Sequence, residues 1–299
     1  MWESACWPQL KQLYSIRMPG EGAAALARGL PSLEVLDAVP EGQWADAGPA
    51  VFGRVRQARL ADCCESFNAH ARTSSLLPSL ERLTLWEERD TIATDLAGST
   101  GLTHLVLGWN DGENFSALHP RAWTVLPTLS RLRHLALDAM PAELPQLAHL
   151  PAALEVLCVN VAHGLDDEGE VEWAPEDMDG APDLCGALEP AARLPRLRTL
   201  YICAPGMAVH HGTLAQLVRA RLCALEELGV VCFKMRLHDV SLLAVLPGLR
   251  RLNVWQLDAI PDEFSRLAVQ HAGTGLQVQD EWPGGGVFSN DFALEEERA

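Results

Sequence analysis

A six-residue pattern, apolar–x–x–apolar–x–apolar, recurs along this chain. Its clearest copies are Leu80-Glu-Arg-Leu83-Thr-Leu85, Leu102-Thr-His-Leu105-Val-Leu107, Leu132-Arg-His-Leu135-Ala-Leu137, Leu197-Arg-Thr-Leu200-Tyr-Ile202 and Leu249-Arg-Arg-Leu252-Asn-Val254. Copies start at Leu10, Leu33, Val55, Leu80, Leu102, Leu132, Leu154, Leu197, Leu225 and Leu249. A last copy starts near Gly273, with Leu276 and Val278 as its second and third apolar positions. The first three copies are weak, since Ser15 and Ala38 occupy third slots and Ala58 a second one.

The pattern predicts one short strand per copy. Alternate strand residues share a face, so the second and third slots point inward together, and the first turns in from the preceding loop. Stacked units then form a parallel sheet over an aliphatic core, and the strands satisfy one another's backbone groups. The segments between strands read as helix or turn. Leu214, Leu217, Val218 and Leu222 fall on one helical face, and the residues 239–246 before Pro247-Gly248 suggest a second short helix. Pro-x-Leu precedes several strands (Pro31, Pro78, Pro195, Pro247), where proline stops a helix and starts an extended segment.

These repeated Pro-x-Leu-x-x-Leu-x-apolar strings resemble the leucine-rich repeat family, in the irregular form of ribonuclease-inhibitor-like and F-box-associated arrays. The resemblance spans nearly the whole chain. It implies an α/β leucine-rich-repeat solenoid, a curved horseshoe with the parallel sheet on its concave face and short helices or turns on the convex one. The chain is expected to be one domain, 1–299, of about 10–11 irregular repeats. One feature departs from the family, whose repeats carry Asn or Cys three residues past the third apolar slot to bond the turn. Here Glu88, Asn110, Met140, Ala162, Pro205, Phe233 and Leu257 stand there, and only Asn110 fits.

The rhythm breaks between Leu154 and Leu197. The excess, residues 164–182, carries eight acidic side chains and no basic one, and is expected to be a solvated loop insertion. Its carboxylates lack the alternating order of a calcium loop. Residues 283–299 are expected to fray.

Composition narrows the function. A net charge of −17 disfavours nucleic acid and anionic membrane as partners, because phosphate binding needs Lys and Arg in excess. No apolar run reaches a membrane span and no signal peptide stands at the N-terminus, so a cytoplasmic or nuclear location is expected. Eight cysteines follow no disulfide framework, and His210-His211 with Cys203, Cys223 and Cys232 match no zinc spacing. No metal or cofactor is expected, and no nucleophile elbow, phosphate loop or zincin motif is present, so no enzyme is expected either.

What remains is a binding surface. Residues between the inward leucines line the expected concave face, and Arg82, Thr84, Trp86, His104, Trp109, His134, Tyr201, Arg251, Asn253 and Trp255 are its candidate contacts. Trp, Tyr and Arg dominate binding hot spots, so Trp86, Trp109, Tyr201 and Trp255 are expected as exposed anchors. The expected role is a noncovalent protein-interaction module or scaffold. The F-box-associated resemblance implies an alternative, a substrate receptor of a ubiquitin ligase working through a Skp1-type adaptor, with its F-box missing or supplied elsewhere.

Overall fold

The computed structural model describes residues 7–41, 51–60, 73–86, 96, 98–108, 118, 120–161, 183–210, 225–234, 241, 243, 246, 248–256 and 277–279. The expected acidic insertion, the helix over 213–222, the frayed tail and Trp109 lie outside them.

Each apolar string becomes a strand that starts two residues after its first slot. The strands are β1 (Gln12–Pro19), β2 (Val35–Glu41), β3 (Gln57–Leu60), β4 (Arg82–Trp86), β5 (His104–Gly108), β6 (His134–Ala139), β7 (Val156–Val161), β8 (Thr199–Ala208), β9 (Glu227–Lys234), β10 (Arg251–Gln256) and β11 (Gln277–Gln279). Strand order follows chain order. This is a leucine-rich-repeat solenoid, and its helical segments are short: α1 (Gly20–Gly29), α2 (Thr73–Leu76), α3 (Pro120–Val125) and α4 (Cys185–Ala191), with 3-10 turns at Leu126–Thr128 and Pro141–His149. Of the second expected helix, Ser241 and Leu243 are helical.

The molecule divides into two compact units, one ending at Leu135 and the other running from Ala136 onward. In the first, β1 to β5 pair in parallel. In the second, β7 to β11 do the same. Leu36, Ala58, Leu83 and Leu105 form one inward line of the first unit, and Leu157, Leu200, Leu228 and Leu252 the matching line of the second, all at most 1% exposed.

Two backbone motifs repeat. The N–H of the first-slot residue donates to the carbonyl three residues earlier, as in Leu33 to Leu30, Leu80 to Leu77, Leu132 to Leu129 and Leu197 to Leu194. The residue at that earlier position is buried too (Leu30, Phe52, Leu77, Leu129, Leu194, Leu246), a fourth core position that the six-residue pattern omits. In the second motif, one lead-in carbonyl accepts two N–H groups of the next repeat. Glu81 accepts from Thr103 and His104, and Thr103 from Arg133 and His134. These bonds hold successive repeats in register without the family's turn Asn. At Met140, one of the departing positions, the Glu143 carboxylate accepts the free backbone N–H at 2.9 Å.

The weak ends are resolved by local irregularities. Leu13 pairs with Leu36 but Ile16 with Ala38, so Ile16, rather than Ser15, takes the third slot of β1. Ser15 is the extra residue and adopts φ 52°, the left-handed region that a β-bulge exploits. At the other end, Leu252 pairs with Val278, so Val278 holds the second slot. The expected start near Gly273 is therefore two residues too early. Leu276 had the right chemistry, and only the pairing with β10 decides the register.

Candidate interaction surface

Strand alternation fixes three rows of side chains facing away from the leucine core. In the first unit, Gln57, Arg82 and His104 are register partners on β3, β4 and β5, and His134 begins β6. In the second unit, Val156, Thr199, Glu227 and Arg251 form the corresponding row, Cys158, Tyr201, Gly229 and Asn253 the next, and Asn160, Cys203, Val231 and Trp255 the third. All the expected contact residues except Trp109, which lies outside the described residues, stand at such outward positions.

Standing on the outward face does not make a residue exposed. Tyr201 is only 6% exposed, so it is not the exposed anchor that its position suggested. The reason lies in the neighbouring strand. Gly229 is its register partner on β9, and the ring occupies the space where a Cβ of residue 229 would stand, nearest Tyr201 Cδ1 and Cε1. The phenol O–H donates to the Glu227 carboxylate, itself 6% exposed, and Glu227 also pairs with the guanidinium of Arg251. A Tyr201–Glu227–Arg251 chain therefore crosses three strands. Burial first, then the hydrogen bond to Glu227, pushes the phenol above its ordinary range. Tyr201→Phe should lower the unfolding free energy by about 1.5 kcal/mol, the low end for a bond to a charged acceptor. Urea denaturation measures this, and an unchanged midpoint would show that the bond has no net role.

Thr84 at 7% and Asn253 at 5% are likewise buried, against the expectation of contact residues. Thr84 is short and lies in register between Arg59 and Val106. Asn253 lies in register with Gly229. Cys158, in the same row, is fully buried, and burial followed by the charge of Glu227 raises its thiol. Burial pushes Cys232 up to about 12, and burial with the charge of Asp138 does the same to Cys203. These thiols are protonated at neutral pH and pack as small apolar groups.

Arg82, His104 and His134 are half-buried, and the Arg251 side chain is 56% exposed. These are the expected contacts with described side chains that keep part of their surface exposed. Trp86 and Trp255 end outward rows of β4 and β10, but their side chains lie outside the described residues. The imidazoles of His104 and His134 stack, with ring centroids 4.0 Å apart and planes 21° from parallel. Thr103 Oγ1 lies 2.9 Å from His104 Nδ1 and 3.1 Å from the Glu81 carbonyl. Burial, then the charges of His134, Arg82 and Arg133, lowers the His104 imidazole from 6.5 to about 3. It is neutral at neutral pH.

Lead-in side chains form a second, more exposed column of alternating charge. Lys11 pairs with Glu34 at 3.2 Å, and Glu226 lies between Arg198 at 3.4 Å and Arg250 at 3.9 Å. Each exposed pair contributes little to stability. The sequence carries the signal, since Lys11, Glu34, Arg56 and Glu81 alternate in sign one repeat apart, but it becomes visible only when the copies are aligned.

No protein-family model matches the chain, and none of the curated proteins compared with it does. Solved structures with a similar fold include a TLR13–ssRNA13 complex, 14% identical at TM-score 0.44 over 83% of this chain. This chain spans 40% of the length of that one. An internalin C2 of Listeria monocytogenes is 17% identical at TM-score 0.32, covering 84% of this chain and 77% of its own. An internalin (inlF) of the same organism is 14% identical at TM-score 0.43, covering 94% and 88%. Among the described residues, no helix is long and apolar enough to cross a membrane, and no group of three or more His, Cys, Asp or Glu could hold a metal ion.

Proposed function

We propose that the chain is a noncovalent protein-binding module that meets its partner with the outward row of its parallel strands. The observation that supports this reading is the row Gln57, Arg82, His104 on three paired strands, with His134 stacked on His104. Strands hold such side chains about 4.8 Å apart on a backbone already ordered, so little further ordering is needed on binding. In the first unit Arg82 carries a charged donor on a half-buried outward position, and Trp86 and Trp109 in the same stretch of sequence are of the residue type most enriched at binding hot spots. Tyr201, Thr84 and Asn253, being buried, are left out of the proposed contacts. The net charge of −17 favours a partner with a basic face, through faster encounter, and opposes nucleic acid.

Affinity capture on the intact chain, read by mass spectrometry, tests this. A partner held by the outward row should be lost or weakened about tenfold with Arg82→Ala or Trp86→Ala, the size of a single hot-spot loss of about 1.4 kcal/mol. It should survive Arg250→Ala, which lies in the lead-in column. If every captured protein stays bound to both row variants, the outward row is not the binding surface. Recovery of a Skp1-type adaptor would make the module the substrate receptor of a ubiquitin ligase.

A further inference from the structure

We propose that the open edge of β1 takes up residues 289–294 of a second copy of this chain as an added strand, so that copies associate head to tail. This contact uses neither the outward row nor its partner, and it stands or falls apart from them.

Burial marks the edge as incomplete. Among the described strands β1 pairs with β2 alone and stands first in the order. Its repeat fills the four core positions with Trp7, Leu10, Leu13 and Ile16, and the Leu10 N–H donates to the Trp7 carbonyl as in later repeats. From β2 to β10, every second- and third-slot residue is at most 5% exposed. Trp7, by contrast, is 49% exposed, and Leu10, Leu13 and Ile16 are each only partly buried. A repeat buries its apolar face on its neighbours, so this layer lacks one neighbour among the described residues. The free strand edge beside it also presents backbone groups that an extended segment can pair with.

The tail spells the missing layer. In Ser289-Asn-Asp-Phe292-Ala-Leu294, Phe292 and Leu294 have the spacing of second and third slots. This string is too close to β11 to stack on it. Phe292 stands 14 residues past Val278, the second slot of β11, whereas second slots elsewhere are at least 22 apart, as from Leu83 to Leu105. A parallel crossover needs about a dozen residues or more besides the strand itself. The chain therefore carries one strand-like string without a place in its own array, and one edge without a neighbour. β1 and β11 are opposite ends of the strand order, so the string meets a β1 edge on another molecule. Parallel addition sets Phe292 beside Leu13 and, past the extra residue Ser15, Leu294 beside Ile16. Glu295 then falls beside Arg17, with Glu296 and Glu297 following. Residues 10–19 carry Lys11 and Arg17 and no acid, so an acidic strand is attracted there. A second β1 would bring only like charges.

Analytical ultracentrifugation of the intact chain over a concentration series tests this. The weight-average mass should rise with concentration and pass that of a dimer, because a head-to-tail contact does not close on itself. Phe292→Asp/Leu294→Asp should raise the concentration of half-association about a hundredfold, the size expected for two apolar side chains that no longer bury. Both positions lie outside the eleven strands, so the circular dichroism spectrum should stay that of the wild type. An excess of synthetic peptide 287–299 should return the wild type to monomer. A wild type that is monomeric at every concentration overturns the proposal, and so does an assembly that stops at the dimer. Assembly undiminished in the tail variant also overturns it, and assigns the contact to another surface.

Discussion

Gly229→Val should lower the unfolding free energy by about 3 kcal/mol, the upper end of the usual cost of overpacking. Gly229 needs no unusual backbone angle. It is needed because the Tyr201 ring fills the place of its side chain. That ring cannot easily retreat, since it is 6% exposed and its hydroxyl is bonded to Glu227 on the same strand as Gly229. The double variant Gly229→Val/Tyr201→Ala gives the sharper measurement. Removing the ring removes the clash, so the double should be more stable than the sum of the two single costs by about 1 kcal/mol or more. Strict additivity in guanidinium unfolding would show that the ring and the glycine are not coupled. The loss should stay local, because each repeat packs mainly on its neighbours. Hydrogen exchange should therefore rise first in β8, β9 and β10.

Leu228→Ala should cost about 2–5 kcal/mol, the range for truncating a buried leucine where the surroundings collapse only in part. Leu228 is fully buried and lies in register between Leu200 and Leu252, also fully buried, so a cavity there borders three consecutive layers. The outward neighbour on β8 gives the internal control. Thr199→Ala, at a half-buried position of the opposite face, should change stability by no more than about 0.5 kcal/mol. Urea midpoints of the two variants compare directly. A Leu228→Ala midpoint as little altered as that of Thr199→Ala would mean that the inward and outward faces have been assigned the wrong way round.

Both experiments turn on different kinds of legibility. The inward positions were readable because their cause is local. A leucine at the second slot and another at the third lie on one side of any strand, whatever packs against it. Even the degenerate copies at Leu10, Leu33 and Val55 gave strands that start two residues on, at Gln12, Val35 and Gln57. The failures were of register. Ser15 held the third slot on paper, but pairing with β2 placed it in a bulge and brought Ile16 in. In the last repeat two apolar residues competed for one slot, and pairing with β10 chose Val278 over Leu276.

The outward face was legible only as a set of positions. Arg82, His104 and His134 were named from the sequence, yet nothing along the chain says that two imidazoles 30 residues apart stack at 4.0 Å. Tyr201 read as an exposed anchor because its own string gives no hint of Gly229. The buried Glu227 was missed as a functional partner for the same reason, since a carboxylate on a strand normally reads as solvated.

The sequence by itself determined the number and order of the described strands, their inward faces and the aliphatic composition of the core, because alternation and burial are properties of single segments. The tertiary structure decided which outward side chains stay accessible. That depends on what stands beside them one repeat away, and the register that brings those neighbours together is set by backbone bonds between strands.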